Sequence, residues 1–202
     1  MCAQAARRTQ VERRSDTEHK VLDAAISLIA RNGSRNVSLA DVGASAGYSR
    51  GIVNHQFGSK DQLLEAVVRS TQQFEVPDTG ETALERLTVL ITTYLASLPE
   101  RAPGWQAFLV LWTESVVQHD SPLRAVYADR DMWFRTLLAG HVRDGIADGS
   151  IRADADADTI ALTVLGMLRG ICLQLMSSAD QTQVDQTANQ VADLIQRGLA
   201  RN

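Results

Sequence analysis

The chain has 202 residues, 45% hydrophobic and 22% charged, the composition of a soluble globular protein with room for one large or two small domains. Its net charge of −4 is unevenly divided: residues 1–60 hold nine Lys/Arg against five Asp/Glu, so a basic end on an acidic body leaves a place for nucleic acid at that end only. Two cysteines without metal-ligand spacing exclude a disulfide framework, and the lack of a run of roughly 18 uninterrupted apolar residues excludes a membrane span.

Residues 1–14 carry Arg7, Arg8, Arg13 and Arg14 without apolar periodicity and without the apolar core of a secretion signal. They read as a flexible basic arm, of a kind that can reach a DNA minor groove. Ser15 and Glu18 form a capping-box pattern, which predicts a first helix over 15–32. Val21, Leu22, Ala25, Ile26 and Ile29 make its inward face, and Gly33 stops it.

Residues 38–60, SLADVGASAGYSRGIVNHQFGSK, predict two short helices around a tight turn. Ser38 caps the first and Asp41 completes its box, while Gly47 ends it because glycine takes a left-handed backbone cheaply. Ser49 caps the second, with Ile52, Val53 and Phe57 on its apolar face, and Gly58 ends it. Ser59 and Gln62 open the next helix in the same manner. Such a pair is a helix-turn-helix, whose second helix can lie in the major groove. Arg50, Gly51, Asn54, His55 and Gln56 fall off its apolar face. Arg can pair with guanine and Asn or Gln with adenine. Gly51 keeps the helix start slim, Lys60 is placed for a phosphate, and the cap residues Ser38 and Ser49 are counted with them as DNA contacts.

Gly33, SLADVGASAGYS (38–49), NHQF (54–57) and SKDQLL (59–64) together resemble the DNA-binding domain of the TetR family of transcriptional regulators, over about residues 15–70. The resemblance implies an all-α, dimeric protein with an effector-binding second part. Val42-Gly43 stands where Ile-Ala is usual in that family, and Gly43 weakens the helix. Asn54 and Gln56 replace two tyrosines, so these two positions are assigned by chemistry alone.

The helix of 60–76 ends at Pro77-Asp78-Thr79-Gly80, the natural boundary between the DNA-reading part and a second part, 81–202. Helices follow at 81–98, 105–118, 121–147, 158–177 and 183–199, giving about nine in all. Asp154, Asp156 and Asp158 have the spacing that opens a calcium loop, but Thr159 and Leu165 stand where its glycine and final carboxylate belong. They read as acidic residues at a helix N-terminus. From about 103 to 178 the chain resembles the C-terminal domain of BetI-type TetR regulators.

Trp105, Phe108, Trp112, Trp133 and Phe134, with Met167 and Cys172, form an aromatic and soft-sulfur concentration. By composition it is a plain core more than a cavity, whereas the family resemblance implies an effector pocket there. With Glu114 it suits a cation, and it also fits an apolar ligand. The helix of 158–177 is apolar over most of its circumference and needs burial on several sides. Leu165, Leu168, Ile171 and Leu175, with Val191, Leu194 and Ile195 of the last helix, are expected to form a four-helix dimer interface.

No zinc-spaced His pair, Gly-x-Ser-x-Gly or phosphate-cradling Gly-Lys-Ser/Thr occurs, so no catalysis, cofactor or metal is expected. The reading is a cytoplasmic, homodimeric regulator, most readily a repressor, binding double-stranded DNA and a small-molecule effector, with no membrane partner. Its rivals are a helical small-molecule-binding protein or enzyme without DNA binding, and an oligomeric scaffold.

Overall fold

The computed structural model describes residues 10–71, 75–98, 102–178 and 180–201. Of the expected basic arm, residues 1–9 lie outside the described residues. The described residues form nine α-helices and one 3-10 turn: α1 (Gln10–Asn32), η1 (Ser34–Asn36), α2 (Leu39–Ala46), α3 (Arg50–Phe57), α4 (Lys60–Thr71), α5 (Ala83–Ala96), α6 (Ala102–Val117), α7 (Leu123–Asp148), α8 (Ala157–Ser178) and α9 (Gln181–Leu199). The all-α expectation of about nine helices therefore stands.

Helix ends follow local chemistry. Ser38 accepts from the Asp41 N–H while Asp41 accepts from the Ser38 N–H, closing the expected box. Gly47 then turns left-handed at φ 78 and ends α2. Ser49 caps α3 through the Ile52 N–H, and Ser59 and Gln62 exchange bonds before α4. Asp156 caps α8 by accepting from the Thr159 N–H at 2.8 Å. The carboxylates of Asp154 and Asp158 pair with Arg152 and Arg143, so the acidic run is a set of caps and surface pairs. Among the described residues, no His/Cys/Asp/Glu group could hold a metal ion.

Two helix starts differ from expectation by more than two residues: α6 begins at Ala102 instead of 105, with Pro103 and Gly104 in its first turn, and α1 begins before residue 15. α1 is already helical at Gln10, so Ser15 lies inside it, where the neighbouring N–H groups already have partners one turn back. The Ser15 hydroxyl and carbonyl instead lie 3.4 and 2.7 Å from Nδ1 of His19.

The packing divides the chain into two compact units. The first takes residues 1–72 and 106–123, the second 73–105 and 124–202. Most of α6, which the sequence reading places in the second part, thus packs with the first. In the first unit α1 lies against α2 and α4, and α2 against α3. Val21, Ala25 and Ile29 of α1 are buried, as are Val42, Val53, Leu63 and Val67. In the second unit α5 runs along α9, and Leu87, Leu90, Ile91 and Leu95 are fully buried. An isolated bridge between Ile151 and Ala200 ties the loop after α7 to the end of α9.

Candidate nucleic-acid interface and effector region

The helix-turn-helix depends on a close backbone approach. Gly43 is buried in α2, and a Cβ built on it would lie 2.9 Å from the Tyr48 carbonyl oxygen and 3.3 Å from the Arg50 nitrogen. The turn into α3 crosses α2 at this point, with the Tyr48 N–H donating to the Gly43 carbonyl at 2.8 Å. The weakness that glycine brings to α2 is therefore tied to the seating of α3. Thr17 of α1 donates to the Tyr48 hydroxyl at 3.4 Å and braces the same turn.

On the first unit's surface a cleft of about 620 Å³ is lined by Arg35, Asn36, Ser38, Asp41, Arg50, Asn54, Ser59 and Lys60, among others. It brings together four of the predicted DNA-contact residues: Ser38, Arg50, Asn54 and Lys60. Gly51 and His55 are exposed on α3 outside it. Arg35, which the sequence reading passed over, adds a third cation to Arg50 and Lys60. Its only sequence signal is a basic residue between two predicted helices.

Three assignments on this face change. The side chain of Gln56 is half-buried and donates to Glu18 of α1 at 3.4 Å, so it turns back toward α1. Ile52, expected inward, is 43% exposed, while Val53 alone is fully buried in α3. The Ser38 hydroxyl donates to Asp41 at 2.6 Å and Ser49 accepts from Ile52, so both serines are engaged as caps.

The predicted effector residues divide between the two units. Phe108, Trp112 and Glu114 belong to the first, and Trp105, Trp133, Phe134, Met167 and Cys172 to the second. In the second unit Tyr94 meets Trp105 edge-on at 4.8 Å and stacks on Phe134 at 5.5 Å. Trp105, Phe134 and Cys172 are buried, but Trp133 is 49% exposed and lies beneath Arg130 at 5.8 Å. Trp133 thus joins the cluster only at its exposed edge, where its ring stacks on Phe134 at 6.0 Å.

A part-buried ion pair stands beside the aromatic rings. Arg169 of α8 makes a two-pronged contact with Asp131 of α7, its Nη1 lying 2.7 Å from one carboxylate oxygen. Burial and the neighbouring Cys172 push the Tyr94 phenol well above its usual range, against the lowering pull of Arg130 and Arg169. Burial pushes the Cys172 thiol up to about 12, which leaves it protonated and inert.

Glu114 is not part of this cluster. Its carboxylate takes both the backbone N–H of Ser34, at 3.2 Å, and the Ser34 hydroxyl. The acid considered for a cationic effector is therefore engaged in the DNA-reading unit.

The expected dimer residues also need correction. Leu165, Leu168, Leu175 and Val191 are buried inside the protomer and are not open to a partner. The open stripe of α8 is Leu162, Gly166, Gly170 and Leu173, at steps of four, four and three. Leu162 and Leu173 are 57% and 46% exposed, and a Cβ at either glycine would meet nothing within 4 Å. Ile171 and Ile195 are half-buried, and Leu194 is 63% exposed.

Comparison with known proteins decides between the readings. Residues 21–67 match the model for bacterial regulatory proteins of the tetR family, and residues 83–200 that for the BetI-type transcriptional repressor C-terminal domain. The chain belongs to the TetR family. It is a DNA-binding, ligand-responsive transcriptional regulator with a BetI-type second part. Among relatives, the repressor KstR2 of Rhodococcus jostii (strain RHA1) is 24% identical over 93% of both chains. The regulator BetI of Agrobacterium fabrum is 32% identical, over 45% of this chain and 48% of its own. A putative regulator from Saccharomonospora viridis, solved with choline, superposes with TM-score 0.74 at 28% identity, covering 93% of this chain and all of its own. These relatives are regulators rather than enzymes.

Proposed function

We propose that this TetR-family regulator is a cytoplasmic, homodimeric repressor that holds a roughly palindromic operator until a small-molecule effector releases it. The observation that carries the DNA half is the cleft joining Arg35, Arg50 and Lys60 beside the exposed face of α3. Arg50 and Asn54 are assigned to base edges, where Arg reads guanine and Asn adenine. Ile52, exposed on the same helix, suits a thymine methyl. Arg35 and Lys60 take phosphates, which fix register without reading sequence.

The stripe of Leu162, Gly166, Gly170 and Leu173, with Leu194 of α9, is assigned to a second copy of this chain. Two small residues four apart let two helices approach closely, and the exposed leucines then lose water contact. Two recognition helices, one per subunit, would enter successive major grooves.

For the effector, the rings of Tyr94, Trp105 and Phe134, with Cys172 and Met167, are assigned to its apolar body. Glu114 is held by Ser34 and Asp131 by Arg169. An apolar or aromatic ligand therefore suits this cluster better than a cation such as the choline of the Saccharomonospora viridis structure. Effector binding that favours another spacing of the recognition helices would lower DNA affinity by linkage. No catalytic step is assigned.

The test is fluorescence anisotropy with the region upstream of the chain's own gene against scrambled duplex, at two salt concentrations. A site preferred over scrambled DNA, filled by two subunits, is expected. Equal, weak, salt-sensitive binding to both duplexes, followed by an empty genome-fragment selection, would overturn the proposal.

A further inference from the structure

We infer that Glu114 of α6 is a positioning residue for DNA binding: it pins η1 so that Arg35 faces a phosphate. The inference rests on the DNA-binding face proposed above. Ser34 opens η1 and is only 6% exposed. Both of its donors, the backbone N–H and the hydroxyl, go to the same carboxylate, 80 residues away along the chain. Gly33 supplies the left-handed backbone that leads into η1. At φ 75 it turns the chain out of α1, and a carboxylate oxygen sits 3.6 Å from the point a Cβ would occupy there.

Two groups thus hold the short turn from behind. Ser34 is held by Glu114 at one end, and Val37, 5% exposed, is buried at the other. The Val37 N–H closes the turn on the Ser34 carbonyl at 3.2 Å. Arg35, between them, is exposed and lines the cleft with Arg50 and Lys60. A 3-10 turn has three residues per turn, so fixing its first residue fixes the direction of the second.

Charge alone predicts the opposite of this role. A carboxylate behind a phosphate-binding face repels DNA, so its removal should strengthen binding. If Glu114 acts by holding Arg35, its removal weakens binding instead. The sign separates the two effects.

The experiment uses the full chain and an operator fragment recovered by genome-fragment selection. Anisotropy gives affinity between 50 and 200 mM salt for wild type, Arg35→Ala, Glu114→Ala, Glu114→Gln and the Arg35→Ala/Glu114→Ala double variant. Each dimer would lose two phosphate contacts in Arg35→Ala. The slope of log affinity against log salt should fall by about 2, and affinity by on the order of tenfold. Glu114→Ala should reproduce both changes at unchanged helical circular dichroism, and the double variant should lose no more than Arg35→Ala alone. Glu114→Gln, which keeps one acceptor for Ser34, should fall between. Should Glu114→Ala not fold, Ser34→Ala removes the hydroxyl bond and should lower the slope in the same direction.

An unchanged slope in Glu114→Ala, a gain in affinity, or losses that add in the double variant would each overturn the inference. In a chain where Glu114→Ala does not fold, a wild-type slope in both Glu114→Gln and Ser34→Ala would do so. Failure of the wild-type chain to prefer any duplex would overturn the DNA-binding face itself, a separate result.

Discussion

His141 buries its Nε2 without a hydrogen-bond partner among the described residues, and burial together with the Arg86 charge holds its pKa below the ordinary imidazole value. Asp144 and Asp78 pull the other way and do not outweigh these. The unfolded chain takes up this proton near pH 6.5, the folded chain only at lower pH. Between those values the unfolded state binds more protons, so stability rises with pH and is lost as pH falls below about 6.5. Urea midpoints at pH 7.5 and 5.5 should show this loss in wild type and a smaller one in His141→Leu; equal losses would remove His141 from the account. The capping carboxylates Asp41, Asp148 and Asp156 have lowered pKa values through their hydrogen bonds, so their contribution disappears only in a separate, more acidic window. Cys172 gives a second check. With its thiol pushed up to about 12, iodoacetamide at pH 8 should leave it unmodified in the native protein and label it in urea. Labelling at equal rates in both would show that α8 does not bury it.

Among the elements, α2 shows how two local rules compete. Replacing Gly43 with alanine gains about 1 kcal/mol of helix propensity. It also puts a Cβ at 2.9 Å from the Tyr48 carbonyl, and overpacking of this kind costs about 1–3 kcal/mol. Gly43→Ala should therefore sit near neutral or be slightly destabilising. Gly43→Val has no such compensation and should lose about 2 kcal/mol or more in urea titration, together with DNA affinity, because α3 is displaced. A stable Gly43→Val with unchanged operator binding would mean the crossing is looser than a 2.9 Å approach requires. The caps at Ser38, Ser49 and Ser59 were legible in the sequence because each lies within four residues of the N–H groups it serves. The start of α1 was misplaced because Ser15 has cap chemistry while the helix already continues through it. Periodicity misread Ile52, since an eight-residue helix needs little more than Val53 to anchor it. The Ser34–Glu114 contact and the Asp131–Arg169 pair had no sequence signal, as their partners lie 80 and 38 residues apart.

At the scale of the whole molecule the open question for α8 was which apolar face meets what. The helix is apolar nearly all round, so its sequence marks it for burial on two sides without saying which side is the chain's own. In the protomer, Val164, Leu165, Leu168, Cys172 and Leu175 are buried, which leaves Leu162, Gly166, Gly170 and Leu173 as the second side. Contrary to the expectation from uninterrupted apolar runs, residues 157–176, with a mean hydropathy of 1.7, are long and apolar enough to cross a membrane despite Arg169. Arg169, paired with Asp131, and the apolar face buried within the protomer argue instead for a helix embedded in protein. If the open stripe joins two copies, charges placed there should separate them without unfolding either one. Leu162→Glu/Leu173→Glu should sediment as a monomer with wild-type circular dichroism. It should also bind the operator at least about a hundredfold more weakly, because the second recognition helix no longer acts at high effective concentration. Leu165→Glu is the contrasting variant. It places a charge at a site 5% exposed within the protomer and should lower the melting temperature itself. A wild-type chain that is monomeric and pellets with lipid vesicles would assign the stripe to a membrane. A double variant that stays dimeric would move the interface elsewhere on the second unit.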